Sequence, residues 1–175
     1  ETSEGIFLTS GFVYETAEQA QRAFKGEEDR FIYSRFSNPT VAMFEERMSL
    51  LENAQACRST GTGMAAVNAA LLSSVKAGDR LVASKALFGS CDYICRELLP
   101  KFGIETTMVN GTDLAEWEAA LDKPTAVVFM ETPSNPQLDI IDLERVSSLA
   151  HKVGARVIVD NVLATPILQR PLDFG

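Results

Sequence analysis

Apolar positions along this chain recur at two spacings, short continuous runs and steps of three and four, and the two alternate for most of its length. Asn38-Pro39 reads as a cap followed by proline at the first helical position. Val41, Phe44, Met48 and Leu51 follow at helical spacing, which predicts a helix there. A short strand is predicted over residues 55–58. A helix over 64–75 follows, closed by Lys76-Ala77-Gly78-Asp79. The rest of the pattern is strand 80–83, helix 90–101, strand 104–109, helix 114–121 capped by Thr112 or Asp113, strand 125–130, helix 142–153 and strand 156–160. Gly103 and Gly154 punctuate it. Strands alternating with helices imply crossover connections, hence an α/β fold with a mostly parallel sheet sandwiched by helices. Residues 1–37 lack this order apart from a helical stretch near 16–24. With the charged run Glu27-Glu28-Asp29-Arg30 they read as an arm, and 38–175 as the domain.

Composition narrows the class. A length of 175 residues supports one sizeable core, and 46% hydrophobic residues is globular rather than disordered. The net charge of −8 argues against a nucleic-acid or anionic-membrane partner, so any phosphate site must be built locally. The apolar runs, such as Ala126-Val127-Val128-Phe129-Met130, are too short to cross a bilayer. Three cysteines, Cys57, Cys91 and Cys95, suggest a reducing, cytoplasmic setting. Cys91 and Cys95 lie four apart on one helical face and read first as buried packing, with a thiol pair or metal as the alternative. The one histidine, His151, reads as a surface group near a helix C-terminus, and no zinc site is expected. The chain starts at Glu1 and stops at Phe174-Gly175 after a loop-like stretch, and both ends are expected to be cuts.

Four stretches carry candidate chemistry. Asp160 closes the apolar run Val157-Ile158-Val159, expected as a buried parallel strand with a carboxylate at its C-terminal end, where open α/β sheets place ligands. Such an acid can serve a metal, a ribose hydroxyl or a protonated ring nitrogen. Ser59-Thr60-Gly61-Thr62-Gly63-Met64-Ala65-Ala66 is small and polar ahead of a helix, a plausible phosphate cradle on unpaired N–H groups. It also fits the dinucleotide pattern G-x-G-x-x-A, although the next strand runs into Ser84-Lys85 instead of ending in an acid. Arg35 has a guanidinium fork for phosphate and Tyr33 adds a hydroxyl. Glu131-Thr132-Pro133-Ser134-Asn135-Pro136 is a proline-stiffened loop that presents Asn135 after a strand. A ligand with phosphate at one end and a basic ring nitrogen at the other, such as pyridoxal phosphate, fits this set.

The ordered motifs Tyr33-Ser34-Arg35, Thr62-Gly63-Met64-Ala65-Ala66, Leu87-Phe88-Gly89, Glu131-Thr132-Pro133-Ser134-Asn135-Pro136 and Val159-Asp160-Asn161 resemble the Cys/Met-metabolism family of pyridoxal phosphate enzymes. That family includes cystathionine γ-synthase, γ-lyases and homoserine-ester sulfhydrylases. The resemblance covers essentially the whole chain. It implies the large domain of the fold-type I (aspartate aminotransferase-like) enzymes, incomplete at its C-terminus. It also implies roles: Gly63 and Met64 N–H on the cofactor phosphate, Phe88 stacked on the ring, Asn135 near the ring hydroxyl, and Asp160 holding the ring nitrogen protonated. Tyr33 and Arg35 would reach the phosphate of a neighbouring subunit, so residues 1–37 become an arm in a homo-oligomer, a dimer of dimers.

Two residues depart from the family pattern. Phe88 stands where a tyrosine is usual, and Val162 where threonine is common. Phe88-Gly89-Ser90 and Asp160-Asn161-Val162 are most similar to the branch acting on O-succinylhomoserine. The implied reaction is γ-replacement of the ester by sulfide, giving homocysteine and succinate in methionine biosynthesis. A synthase or lyase of the same family is the alternative. The family's Schiff-base lysine falls in a Ser-x-Thr-Lys segment beyond the stretch matching Pro171–Gly175. None of Lys25, Lys76, Lys85, Lys101, Lys123 and Lys152 fits that role, so the chain by itself is expected to have no catalytic lysine and to be inactive. A dinucleotide-binding oxidoreductase and a non-enzymatic interaction module remain as further alternatives. Tight NAD(P) binding would mark the first, and association with a homologous chain the second.

Overall fold

Four strands of five residues each build one parallel sheet in the order β2-β1-β3-β4. They are β1 (Arg80–Ser84), β2 (Glu105–Val109), β3 (Val127–Glu131) and β4 (Arg156–Asp160). This is a computed structural model that describes residues 2–175. Because all strands run the same way, their C-terminal ends share one edge, and the register sets Glu131 beside Asp160 there. Strand residues alternate between two cores, as the pleat requires. Leu81, Ala83, Val127 and Phe129 face a cluster with Leu71, Ile94 and Leu99. Val82, Val128 and Met130 face Trp117 and Val146 on the other side. The expectation of a parallel sheet with helices on both faces is met.

Several helices start where a side chain can satisfy a free N–H. Thr62 Oγ1 accepts from Ala65 N at 3.1 Å and opens α3 (Gly63–Leu72). Asp113 caps α6 (Leu114–Ala120) and Asp142 caps α7 (Leu143–Lys152) through Ala115 N and Arg145 N. Between β1 and β2, α4 (Gly89–Tyr93) passes through a π-helical turn, Ile94–Leu98, into α5 (Leu99–Lys101). There Leu99 N–H reaches back to the Ile94 carbonyl, just ahead of Pro100, which has no N–H to offer. After β4 come α8 (Thr165–Leu168) and a 3-10 turn, Pro171–Phe174.

The chain divides into two units, one ending at Ser59 and one spanning Thr60–Gly175. The first unit holds α1 (Ala17–Phe24), capped by Thr16, and α2 (Pro39–Leu51), capped by Asn38. An isolated bridge joins Gly11 to Tyr33. Arg47 grips Glu4 with both carboxylate oxygens at 2.7 and 2.8 Å.

Three expectations need correction. No strand forms at 55–58: the segment finds no pairing partner, and its end is tied down by Glu45, which accepts from Ser59 N at 2.7 Å and from Arg58. The helix predicted to reach residue 75 stops at Leu72, with Ser73 and Ser74 closing back on Ala69 and Leu71. β4 is half-buried rather than buried, because it is the edge strand and pairs only with β3. Cys91 and Cys95 are free and buried in the core, as packing predicts, and His151 is exposed on α7. Among the described residues no helix is long and apolar enough to cross a membrane, and no group of His, Cys, Asp and Glu could hold a metal ion.

Candidate active site

The C-terminal edge of the sheet opens into a cavity of about 540 Å³, a size that suits a small cofactor. Five of the seven residues singled out from sequence line it: Gly63, Met64, Phe88, Asn135 and Asp160. Its apolar floor is Val67, Cys91, Phe129 and Ile158. The other two lie on the first unit. Arg35 is exposed there, with its guanidinium carbon 5.5 Å from the Tyr33 ring centre and 4.9 Å from that of Phe36. Two rings thus hold the fork while its N–H groups stay free of any carboxylate partner among the described residues.

One wall of the cavity is the start of α3. Thr62 takes the Ala65 N–H with its hydroxyl and the Ala66 N–H with its carbonyl. Gly63 and Met64 N–H have no acceptor among the described residues. A Cβ added at Gly61 or Gly63 would meet no atom within 4 Å, so glycine leaves open space rather than relieving a clash. Two free N–H groups, the positive end of a ten-residue helix and open room fit an anion.

The strand ends that line the cavity are acidic. Asp160 Oδ1 accepts from Val162 N at 3.1 Å, and its other oxygen has no partner. Beside it, Glu131 is 1% exposed. Its Oε2 accepts from Phe88 N at 2.6 Å, and its buried Oε1 has no partner. Burial pushes the Glu131 carboxyl up from its ordinary value and the Asp160 charge adds to this, while the backbone N–H groups of Phe88 and Asn135 pull the other way. Among the described residues no lysine or arginine lines the cavity to balance these acids. A bound group carrying positive charge at that point would supply the balance. The cavity therefore offers both free N–H donors and carboxylates, and pyridoxal phosphate, with an anionic phosphate and a basic ring nitrogen, fits that donor set and the volume.

The loop after β3 is braced from below. Thr132 and Ser134 are fully buried; Thr132 Oγ1 accepts from Ile141 N at 2.9 Å and Ser134 Oγ from Asp139 N at 3.0 Å. Gln169 donates to the Thr132 carbonyl at 2.7 Å and to Asn161 Oδ1 at 2.8 Å, tying this loop to the turn after β4. Asn135 stands on that frame with its side-chain amide free. Cys91 is no nucleophile: burial, with Asp160 and Glu131 nearby, pushes its thiol up to about 11.

Sequence reasoning named Glu131 only as part of a motif, although the signal that singled out Asp160, an acid ending an apolar strand, applies to it equally. Thr62 was likewise legible as a cap. The strand expected ahead of the Gly61–Gly63 cradle is absent, and the dinucleotide pattern loses the context it requires.

Comparison with known proteins points to the same cofactor. The family model of the Cys/Met metabolism PLP-dependent enzymes matches residues 1–175. The O-succinylhomoserine sulfhydrylase of Mycobacterium tuberculosis is 51% identical over 175 residues, all of this chain and 43% of that protein. The L-methionine γ-lyase of Porphyromonas gingivalis is 42% identical over 97% of this chain and 43% of its own length. A Campylobacter jejuni structure carrying N'-pyridoxyl-lysine-5'-monophosphate superposes with a TM-score of 0.88 at 33% identity, over 99% of this chain and 43% of that one. The chain thus spans less than half the length of the relatives it matches. With its whole length matched by the family model and its cavity shaped for the family's cofactor, the chain belongs to the pyridoxal phosphate-dependent enzymes of cysteine and methionine metabolism.

Proposed function

We propose that this chain serves a pyridoxal phosphate-dependent γ-replacement, in which O-succinylhomoserine and sulfide give homocysteine and succinate. The observation that carries the reading is the 51% identity to an O-succinylhomoserine sulfhydrylase across every residue of the chain. When bound, the cofactor supplies an electron sink that lets protons leave the substrate's Cα and Cβ before the ester departs from Cγ. The chain's residues bind and orient. Gly63 and Met64 donate to the phosphate, Asp160 keeps the ring nitrogen protonated, Asn135 meets the ring hydroxyl and Phe88 covers the ring. Phe88 brings no phenol, so its part is stacking without proton transfer.

Tyr33 and Arg35 serve the phosphate of a neighbouring copy, with residues 1–37 as the arm that delivers them into a dimer of dimers. The exposed, ring-stacked Arg35 supports this, as do the exposed apolar side chains Val41, Phe44 and Leu51 on α2. Free cysteines support a cytoplasmic setting. Among the described residues no lysine lines the cavity, which supports the reading that the Schiff-base lysine lies outside this chain and that the chain alone is inactive.

The 42% identity to a methionine γ-lyase favours that activity as the second reading. Steady-state assays of the full-length protein separate the two. Succinate and homocysteine formed in equal amounts, and only when sulfide is added, are expected. Release of α-ketobutyrate and methanethiol from methionine at a comparable rate would move the assignment to a lyase.

A further inference from the structure

We infer that Glu131 is a positioning residue: it clamps the Phe88 main chain to the end of β3 and so fixes the ring that covers the cofactor. This rests on the proposed stacking of Phe88. The Phe88 ring is 43% exposed, so packing does not hold it. The main chain does. Its N–H donates to Glu131 Oε2 at 2.6 Å, and its carbonyl accepts from Cys91 N and Asp92 N at 2.8 and 3.0 Å as α4 begins. Phe88 is the N-cap of that helix without any side-chain cap, so Glu131 is the one group that sets where the residue enters it.

Stability alone does not explain an acid here. Glu131 is buried and the Asp160 carboxylate is its neighbour across the ladder; among the described residues its Oε1 is unpartnered and no cation lines the cavity. A buried carboxyl so placed costs more than one amide hydrogen bond returns. An apolar side chain of the same length would be cheaper for the fold. What the carboxyl adds is a fixed acceptor for the Phe88 N–H at the end of β3. The groups around it are Asp160 from β4, the Cys91 thiol from α4 and the Asn135 backbone N–H from the loop after β3.

The test uses the full-length protein and three variants: Glu131→Met, which keeps length but no acceptor, Glu131→Gln, which keeps an acceptor, and Phe88→Leu. Three quantities are read: the Tm of the cofactor-free protein, the pyridoxal phosphate dissociation constant, and the visible circular dichroism of the bound cofactor. Glu131→Met is expected to keep or raise the cofactor-free Tm, weaken cofactor binding by about tenfold, the scale of a lost hydrogen bond to a charged group, and dim the dichroism. Glu131→Gln should restore both cofactor signals. On a Phe88→Leu background, Glu131→Met should cost nothing further. The inference is overturned if Glu131→Met binds cofactor normally while Phe88→Leu is impaired, if Glu131→Gln is as defective as Glu131→Met, or if lost affinity tracks a lower cofactor-free Tm. Normal binding by Phe88→Leu would overturn the stacking assignment itself, and this inference with it.

Discussion

At the scale of single residues, the cavity sets two carboxyls side by side and gives them different surroundings. Asp160 has one oxygen in a local turn and one free, at an edge strand that is only half-buried. Glu131 is buried against the Phe88 amide. Asp160 is therefore the acid suited to hold a charge opposite a protonated ring. Asp160→Asn in the full-length enzyme should lower kcat by about 100-fold or more, the scale of a lost preorganised electrostatic partner. The cofactor phosphate should stay bound through Gly63 and Met64. Steady-state kinetics with cofactor absorbance checks both, and an unchanged kcat would remove Asp160 from the mechanism.

Glu131 makes a pH prediction. Its folded-state value is raised above the ordinary 4.5, so the folded chain keeps a proton that the unfolded chain releases first. The favourable state is present at low pH and is lost as pH rises through the folded value. Glu131→Gln does not titrate, so its Tm should gain on that of the parent as pH climbs from about 4.5 upward. Thermal melts across that range decide it, and a constant difference would show that the carboxyl is not perturbed.

Among the elements, α3 carries the phosphate end of the site, and it is placed by one cap and one core residue. Thr62 organises the first turn so that only Gly63 and Met64 N–H remain free, and the fully buried Leu71 seats the other end against β1 and β3. Thr62→Ala should cost about 1 kcal/mol in denaturant unfolding of the cofactor-free chain and weaken cofactor binding as the first turn frays.

What was legible in advance follows from where the signals are local. Caps such as Asn38, Asp113 and Asp142 and acids ending apolar strands are written in adjacent residues. The strand expected at 55–58 was not, because strandedness depends on a partner, and Gln55-Ala56-Cys57-Arg58 has none. The helix expected to run to 75 overshot for a similar reason: Val75 is apolar at a helical step, but Ser73 and Ser74 already close the turn. The clamp from Glu131 to Phe88 joins residues 43 apart, a relation no local pattern contains.

For the whole molecule, the unit Thr60–Gly175 gathers free N–H donors, acids and an apolar floor around one cavity, and among the described residues no lysine lines it. The 175-residue chain should therefore bind pyridoxal phosphate reversibly. Borohydride treatment followed by intact mass should show no added pyridoxyl group, whereas the full-length protein should acquire one. A covalent adduct on the short chain would mean that one of its own lysines reaches the cavity. The buried Trp117 reports on this unit and offers a fluorescence signal for its unfolding.

The most direct test of the central claim is a crystal structure of the full-length protein with pyridoxal phosphate. The phosphate should lie within hydrogen-bond distance of the Gly63 and Met64 N–H groups, with the ring nitrogen against Asp160 and Phe88 over the ring. A phosphate held elsewhere, or a ring nitrogen turned away from Asp160, would contradict the account.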